Sequence, residues 1–210
     1  MDTEQSEAVY ATIRARRDVR GQFTGGPIPP EVLARLLAAA HAAPSVGLSQ
    51  PWDFVVVADP TTRRRFRDHV HHQRAAFRST LPPERRATFD PIRIEGIEES
   101  TVGVVVTYDP GRGGPHVLGR HSIADAGLYS TCLAIQNLWL AATAEGYGLG
   151  WVSFFEEDFV RQLLGIPDRV RPVAWLCLGP VTHLETVPDL ERHRWEQRRA
   201  VETVTHHERW

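Results

Sequence analysis

The sequence predicts one mixed domain of helices and strands, of the α/β or α+β class. Two observations carry this. Segments with apolar residues at helical spacing alternate along the chain with short apolar runs of strand length. The 210 residues are 42% hydrophobic and 24% charged, the balance of a soluble globular protein with a sizeable core. No repeat, linker or low-complexity stretch divides residues 1–210.

The elements follow in order. Glu4 to Arg17 sets Val9 and Ile13 four apart among charged positions, a first amphipathic helix ending near Asp18. Gly25-Gly26-Pro27 and Pro29-Pro30 mark a loop. Glu31 to Ala43 is a helix with Val32, Leu33, Leu36, Leu37 and Ala40 on one face; Pro30 and Glu31 stand where a helix start favours them. Ala43 to Trp52 is a loop of small residues, followed by a strand at Phe54 to Ala58. Thr61 to Phe77 is a basic, His-bearing helix. Thr80 to Pro91, polar and Pro-containing, is expected as a mobile excursion, part of a lid around 70–95. Ile94 to Glu99 leads to a strand at Val102 to Tyr108, and Asp109 to Pro115 is a turn. Ala124 to Glu145 is a buried helix. Tyr147-Gly148-Leu149-Gly150 is expected as a tight connection into a strand at Trp151 to Phe155. Glu157 to Leu164 is a short helix stopped by Gly165 and Pro167. Val170 to Gly179 is an apolar strand, and the tail from Leu190 to Trp210 is charged with spaced tryptophans.

Several function classes are excluded. A formal net charge of -2 gives no bulk attraction to nucleic acid or anionic membrane. Gly127 to Gly146 is apolar, but Ser130, Thr131, Gln136 and Asn137 within it suit burial in protein rather than lipid. Met1 to Glu7 is acidic and polar, unlike a signal peptide, so a cytoplasmic protein is expected. Cys132 and Cys177 lie in apolar runs and read as buried thiols. His69, His71, His72, His206 and His207 match no metal-ligand spacing and read as solvated; no metal is expected.

Three segments are candidates for chemistry. In Arg16-Arg17-Asp18-Val19-Arg20, three guanidiniums within five residues suit a forked grip on one phosphate, although a solvated charged helix end has the same composition. In Ala43 to Trp52, small residues allow close approach of a planar ligand while Ser45 and Gln50 supply hydrogen bonds; an ordinary helix-to-strand loop is the alternative. Gly146-Tyr147-Gly148-Leu149-Gly150 follows a helix and enters a strand, the reverse of a dinucleotide fingerprint. Ser153, at the end of that strand, lacks the elbow context of a hydrolase nucleophile and reads as a pocket residue, beside Trp151 and Val152.

Together and in order, RRDVRGQF at 16–23, AAPSVGLSQPW at 42–52, IRIEGIEES at 92–100, LGR at 118–120, the long block at 128–155, VAWLCLG at 173–179 and ERW at 208–210 resemble the nitroreductase superfamily. The likeness is to its branch that forms a benzimidazole from flavin. It implies an α+β, three-layer α/β/α sandwich with a central, mostly antiparallel sheet, assembled as a homodimer around a long buried helix at Gly127 to Glu145. It implies FMN in a cleft shared by both subunits. In that branch reduced FMN, delivered by a separate NAD(P)H-dependent flavin reductase, is a substrate that O2 fragments to 5,6-dimethylbenzimidazole and erythrose 4-phosphate. By resemblance, Asp18 and Ser153 are the catalytic pair. Arg16, Arg17 and Arg20 lie at phosphate, ribityl or ring positions, Arg198 is a further phosphate candidate, and Val19, Ser45, Ile94 and Glu95 also bind flavin. The chain departs from the branch at Leu48-Ser49, where bulkier apolar residues are usual. The rival expectations are an NAD(P)H-dependent nitroreductase or flavin reductase that keeps its FMN, and a flavin-storage protein.

Overall fold

The computed structural model describes residues 2–210; Met1, the first residue of the acidic N-terminal stretch, lies outside them. Four strands, β1 (Trp52–Val57), β2 (Val102–Tyr108), β3 (Tyr147–Val152) and β4 (Arg171–Pro180), form one sheet in the order β1-β2-β4-β3. Every neighbouring pair is antiparallel.

The two faces of the sheet separate two cores, because side chains on a strand alternate. Val104, Val106, Ala174, Leu176 and Leu178 face one layer, built from α2 (Pro30–His41) and α5 (Ala126–Ala144). Val105, Trp175 and Cys177 face the other, built from α3 (Pro60–Thr80) and α6 (Glu157–Leu164). Phe66 of α3 stacks on Trp175 with ring centroids 3.8 Å apart, which locks that layer to the sheet. The expected three-layer α/β/α sandwich with an antiparallel sheet is what forms.

Ser130, Thr131 and Asn137 of α5 are satisfied within the helix, by the loop that follows α2, or by α2 itself. Ser130 donates to the Ala126 carbonyl and accepts from Val46 N–H, Thr131 donates to the Gly127 carbonyl, and Asn137 donates to the Ala39 carbonyl at 3.2 Å. Among the described residues no helix is long and apolar enough to cross a membrane. The outward face of α5 stays wet at Tyr129 (56% exposed) and Leu133 (46%). The first helix, α1 (Thr3–Ala15), buries no residue at all and leaves Val9, Tyr10 and Ile13 exposed.

Four expectations change. Residues 83–89, within the stretch read as irregular, form helix α4 (Pro83–Phe89), whose Phe89 is buried. It is tied back to α3 by the forked Arg78–Asp90 pair. Tyr147-Gly148-Leu149-Gly150 is the first half of β3 rather than a connection, and β3 ends at Val152, so Ser153 to Phe155 lie beyond it. Cys132 is half-buried, while Cys177 is buried as expected. One histidine read as solvated is engaged: His69 stacks on Phe159 at 3.9 Å and accepts from Glu156 N–H at 3.0 Å, whereas His71 is exposed as expected, with Glu95 at 3.1 Å.

Candidate active site

The site is built where the segment after α1 meets β3. Beyond Ala15 the backbone leaves helical geometry at Arg16 and runs alongside β3 as a short parallel addition. Val19 N–H donates to the Leu149 carbonyl at 3.0 Å, and Asp18 pairs with Leu149. The approach is close because β3 carries glycine there. A Cβ on Gly150 would stand 2.0 Å from the Val19 carbonyl oxygen. Gly150 therefore serves a close backbone contact inside the strand, not a turn.

This contact fixes Asp18. Its Oδ1 accepts from Trp151 N–H at 2.8 Å and from Arg20 Nη1 at 2.6 Å, and its Oδ2 accepts from Arg20 Nη2. Arg20 also donates to the Trp151 carbonyl at 2.8 Å, so carboxylate, guanidinium and strand form one ring of contacts. A carboxylate accepts about four hydrogen bonds, and three are used, which leaves one acceptor position on Oδ2. Held at the wall of the adjoining cleft, Asp18 keeps 45% of its side chain open to it. Desolvation raises its carboxyl from the ordinary value, against the pull of Arg20, the Trp151 N–H and Arg16. Water in the open cleft tempers that rise; a planar ligand that expels the water raises the carboxyl further.

The cleft has a volume of about 280 Å³. Arg16, Arg17, Asp18, Arg20, Ile94, Trp151, Ser153 and Arg198, all named from the sequence, line it together. Their charges are not balanced. Arg20 is matched by Asp18 and Arg93 by Glu99, but Arg16, Arg17 and Arg198 have no carboxylate in ion-pair reach among the described residues. Arg16 lies over the Trp139 ring at 4.7 Å, and Trp139 Nε1 donates to the Arg17 carbonyl at 3.0 Å, so the tryptophan anchors the arginine pair from below. Arg17 gives its terminal nitrogens to carbonyls of Arg14, Arg16 and Thr186, while its buried Nε has no partner. Desolvation first, then Arg198 and Arg16, push the Arg17 pKa down. Converged cations with a buried, orphaned N–H fit an anion such as a phosphate.

The remaining sequence candidates lie outside the cleft. Val19 and Val152 are buried behind it. Glu95 is buried and accepts from Ile97 N–H at 2.7 Å. Ser45 and Gln50 sit in the loop before β1, where Ser45 Oγ accepts from Gln50 N–H and Gln50 reaches His41. Sequence reasoning missed Ile92, Arg93, Phe154, Pro188, Asp189 and Leu190, which also line the cleft. Arg93 stood inside a quoted motif; the 188–190 segment, holding part of α7 (Asp189–Arg192), carries no motif and is brought in only by the return of the tail. Among the described residues no cluster suited to a metal ion occurs.

With this geometry in view, a model of the Nitroreductase family matches residues 13–180. The chain belongs to the nitroreductase family. The match runs from within α1 to the end of β4, so it takes in both the arginine segment and Ser153. Curated relatives of this nitroreductase-family chain include a 5,6-dimethylbenzimidazole synthase of Rhodospirillum rubrum, 39% identical over 94% of this chain and 93% of the relative. Another of that name, from Rhodobacter capsulatus, is 37% identical over 94% and 96%. In fold, the chain resembles a solved iodotyrosine deiodinase bound to FMN and 3-iodo-L-tyrosine, with a TM-score of 0.70 at 22% identity, over 84% of this chain and 91% of that one. It also resembles the NADPH:FMN oxidoreductase of Vibrio harveyi, with a TM-score of 0.70 at 20% identity, over 97% and 78%.

Proposed function

We propose that this protein is a 5,6-dimethylbenzimidazole synthase, an oxidoreductase that consumes reduced FMN with O2 and releases 5,6-dimethylbenzimidazole and D-erythrose 4-phosphate. The observation that carries this is the joining of Asp18 and Ser153 in one cleft with three unmatched arginines. The names of the two relatives, each matched over nearly its full length, support the same reading. Bound in this cleft, reduced FMN supplies the electrons for the reaction with O2.

The chain's own groups then have distinct tasks. Arg16, Arg17 and Arg198 hold the phosphate, and Arg20 keeps Asp18 in place rather than joining them. Ile94, Trp151 and Phe154 provide apolar walls for a ring system. Asp18 Oδ2 is the atom at which the protein takes or returns a proton, and the Ser153 hydroxyl, at the cleft wall, hydrogen-bonds the ring edge. The stretch around residues 70–95, the second half of α3 with α4 and the chain beyond it, acts as the lid that keeps bulk water out. A second copy completes the site: it covers α1 and the wet face of α5, and contributes Ser45 and Gln50 to the partner's cleft. A separate NAD(P)H-dependent flavin reductase in the cytoplasm delivers the reduced FMN.

The test is incubation with chemically reduced FMN in air, followed by chromatography of the products. The expected result is 5,6-dimethylbenzimidazole in wild type, with none from Asp18→Asn or Ser153→Gly although both still bind FMN. Simple reoxidation of FMN by wild type, or rapid steady-state NADPH oxidation by the protein alone, overturns the synthase reading in favour of a flavin reductase. Tight FMN binding with neither activity points to storage.

A further inference from the structure

Ser153 and Phe154 stand on a partition, because a second cleft opens on their other side. It has a volume of about 430 Å³ and is walled by Phe77, Phe154 and Phe155, with Gln73, Ala76 and Thr80 of α3 at its rim. That volume lies within the range of about 300–1,000 Å³ usual for small-molecule clefts. No Asp, Glu, Lys or Arg lines it, whereas the first cleft is lined by five arginines.

The aromatic walls are held from behind. Phe77 meets Phe89 edge-on at 5.3 Å and Phe154 edge-on at 5.7 Å. Phe155 leans on Phe66 at 5.8 Å, and Phe66 is itself stacked on Trp175. Phe77 nevertheless keeps 37% of its surface exposed. In this arrangement the rings brace one another, and their exposed faces, with no charge nearby, form a surface for a flat, apolar, uncharged ligand. A phosphorylated ligand finds no counter-charge there and would lose hydration without compensation.

The geometry points to this second cleft as the subsite for the neutral bicyclic aromatic product, 5,6-dimethylbenzimidazole. This rests on the proposed reaction, which yields one charged and one neutral fragment. The two clefts sort them by chemistry: erythrose 4-phosphate stays against Arg16, Arg17 and Arg198, and the benzimidazole moves across the Ser153–Phe154 partition to the phenylalanines. There the Gln73 amide is the group at hand for a ring nitrogen.

The test is equilibrium dialysis of 5,6-dimethylbenzimidazole against wild type and Ala76→Trp, with Phe77→Leu as a second variant. Ala76 is exposed on α3, so a tryptophan there fills the cleft without entering the core. The expected result is binding to wild type that millimolar erythrose 4-phosphate does not displace. Ala76→Trp should weaken it about tenfold or more while leaving FMN affinity within about twofold. Phe77→Leu should weaken it less. Unchanged binding in Ala76→Trp, displacement by erythrose 4-phosphate, or no binding to wild type overturns the subsite. Binding that behaves as expected in a protein that makes no benzimidazole from reduced FMN leaves the subsite standing and removes the synthase reading alone.

Discussion

Gly150→Ala tests whether backbone contact, rather than the acid itself, fixes the position of Asp18. The new Cβ would lie 2.0 Å from the Val19 carbonyl oxygen and 2.6 Å from Arg20 Nη1. Real Cβ contacts stay beyond 3.0 Å, so the Val19 carbonyl must retreat by at least 1 Å. A backbone oxygen has no rotamer to escape into, and β3 is held by β4 on its other side. The arginine segment therefore moves. That stretches the Val19 N–H bond to Leu149 and the Trp151 N–H bond to Asp18. Overpacking of this kind costs about 1–3 kcal/mol, and each lost hydrogen bond about 0.5–1.5 kcal/mol. Half-open to water, the Asp18 contact belongs at the low end of that range. A total of about 2–5 kcal/mol corresponds to a fall in Tm of roughly 4–20 °C for a chain of this size. A catalytic group misplaced by about 1 Å can lose about 100-fold in rate. Differential scanning fluorimetry, FMN titration and benzimidazole formation from reduced FMN provide the readouts. Gly21→Ala is the control, since its Cβ would meet Arg93 at an ordinary 3.5 Å. If Gly150→Ala matches Gly21→Ala in Tm and rate, the Gly150–Val19 contact does not position Asp18 and the reasoning fails.

Three further outcomes are expected. Arg17→Ala should weaken FMN binding by about tenfold or more, the worth of a charged hydrogen bond, and leave riboflavin, which lacks the phosphate, nearly unaffected; equal losses for both flavins would place the phosphate elsewhere. His69 has its pKa held below the ordinary value by desolvation, with His72 adding to this and Glu156 opposing it, and its ring nitrogen accepts from Glu156 N–H. Its neutral form thus stabilises the α3–α6 contact above the ordinary histidine pKa of about 6.5, and that contribution is lost as pH falls through the depressed value. A pH–Tm series on wild type and His69→Gln checks this, because the gap between them should narrow as the medium is acidified. Burial pushes the Cys177 thiol up to about 12, so the folded state keeps its proton; stability falls as pH rises from the ordinary thiol value of 9.0 toward that figure. Thiol titration of the native protein should leave Cys177 unreacted until unfolding, and ready modification at neutral pH would contradict its burial.

Much of the architecture was legible in the sequence because periodicity survives folding. Glu157 to Leu164, with a breaker after it, is the helix the structure contains, and the Val102 to Tyr108 run is the strand β2. Thr80 to Pro91 misled because a helix as short as α4 has little periodicity to read, and its stability comes from burying Phe89 and from the Arg78–Asp90 pair. Tyr147 to Gly150 misled for a related reason. Glycine normally weakens a strand, and only the long-range approach of Val19 at Gly150 and of Val181 with Val19 at Gly148 explains why β3 needs it.

By itself, the sequence determined which residues are charged, which segments alternate, and that three arginines and an aspartate lie within one turn's reach of each other. Tertiary structure alone decided which of those charges remain free. Arg20 is neutralised by Asp18 and fastened to Trp151, while Arg16 and Arg17 meet Arg198 from the far end of the chain and stay unmatched. Composition cannot reveal that difference, because a guanidinium becomes a ligand-binding group only when long-range packing has withheld its counter-ion.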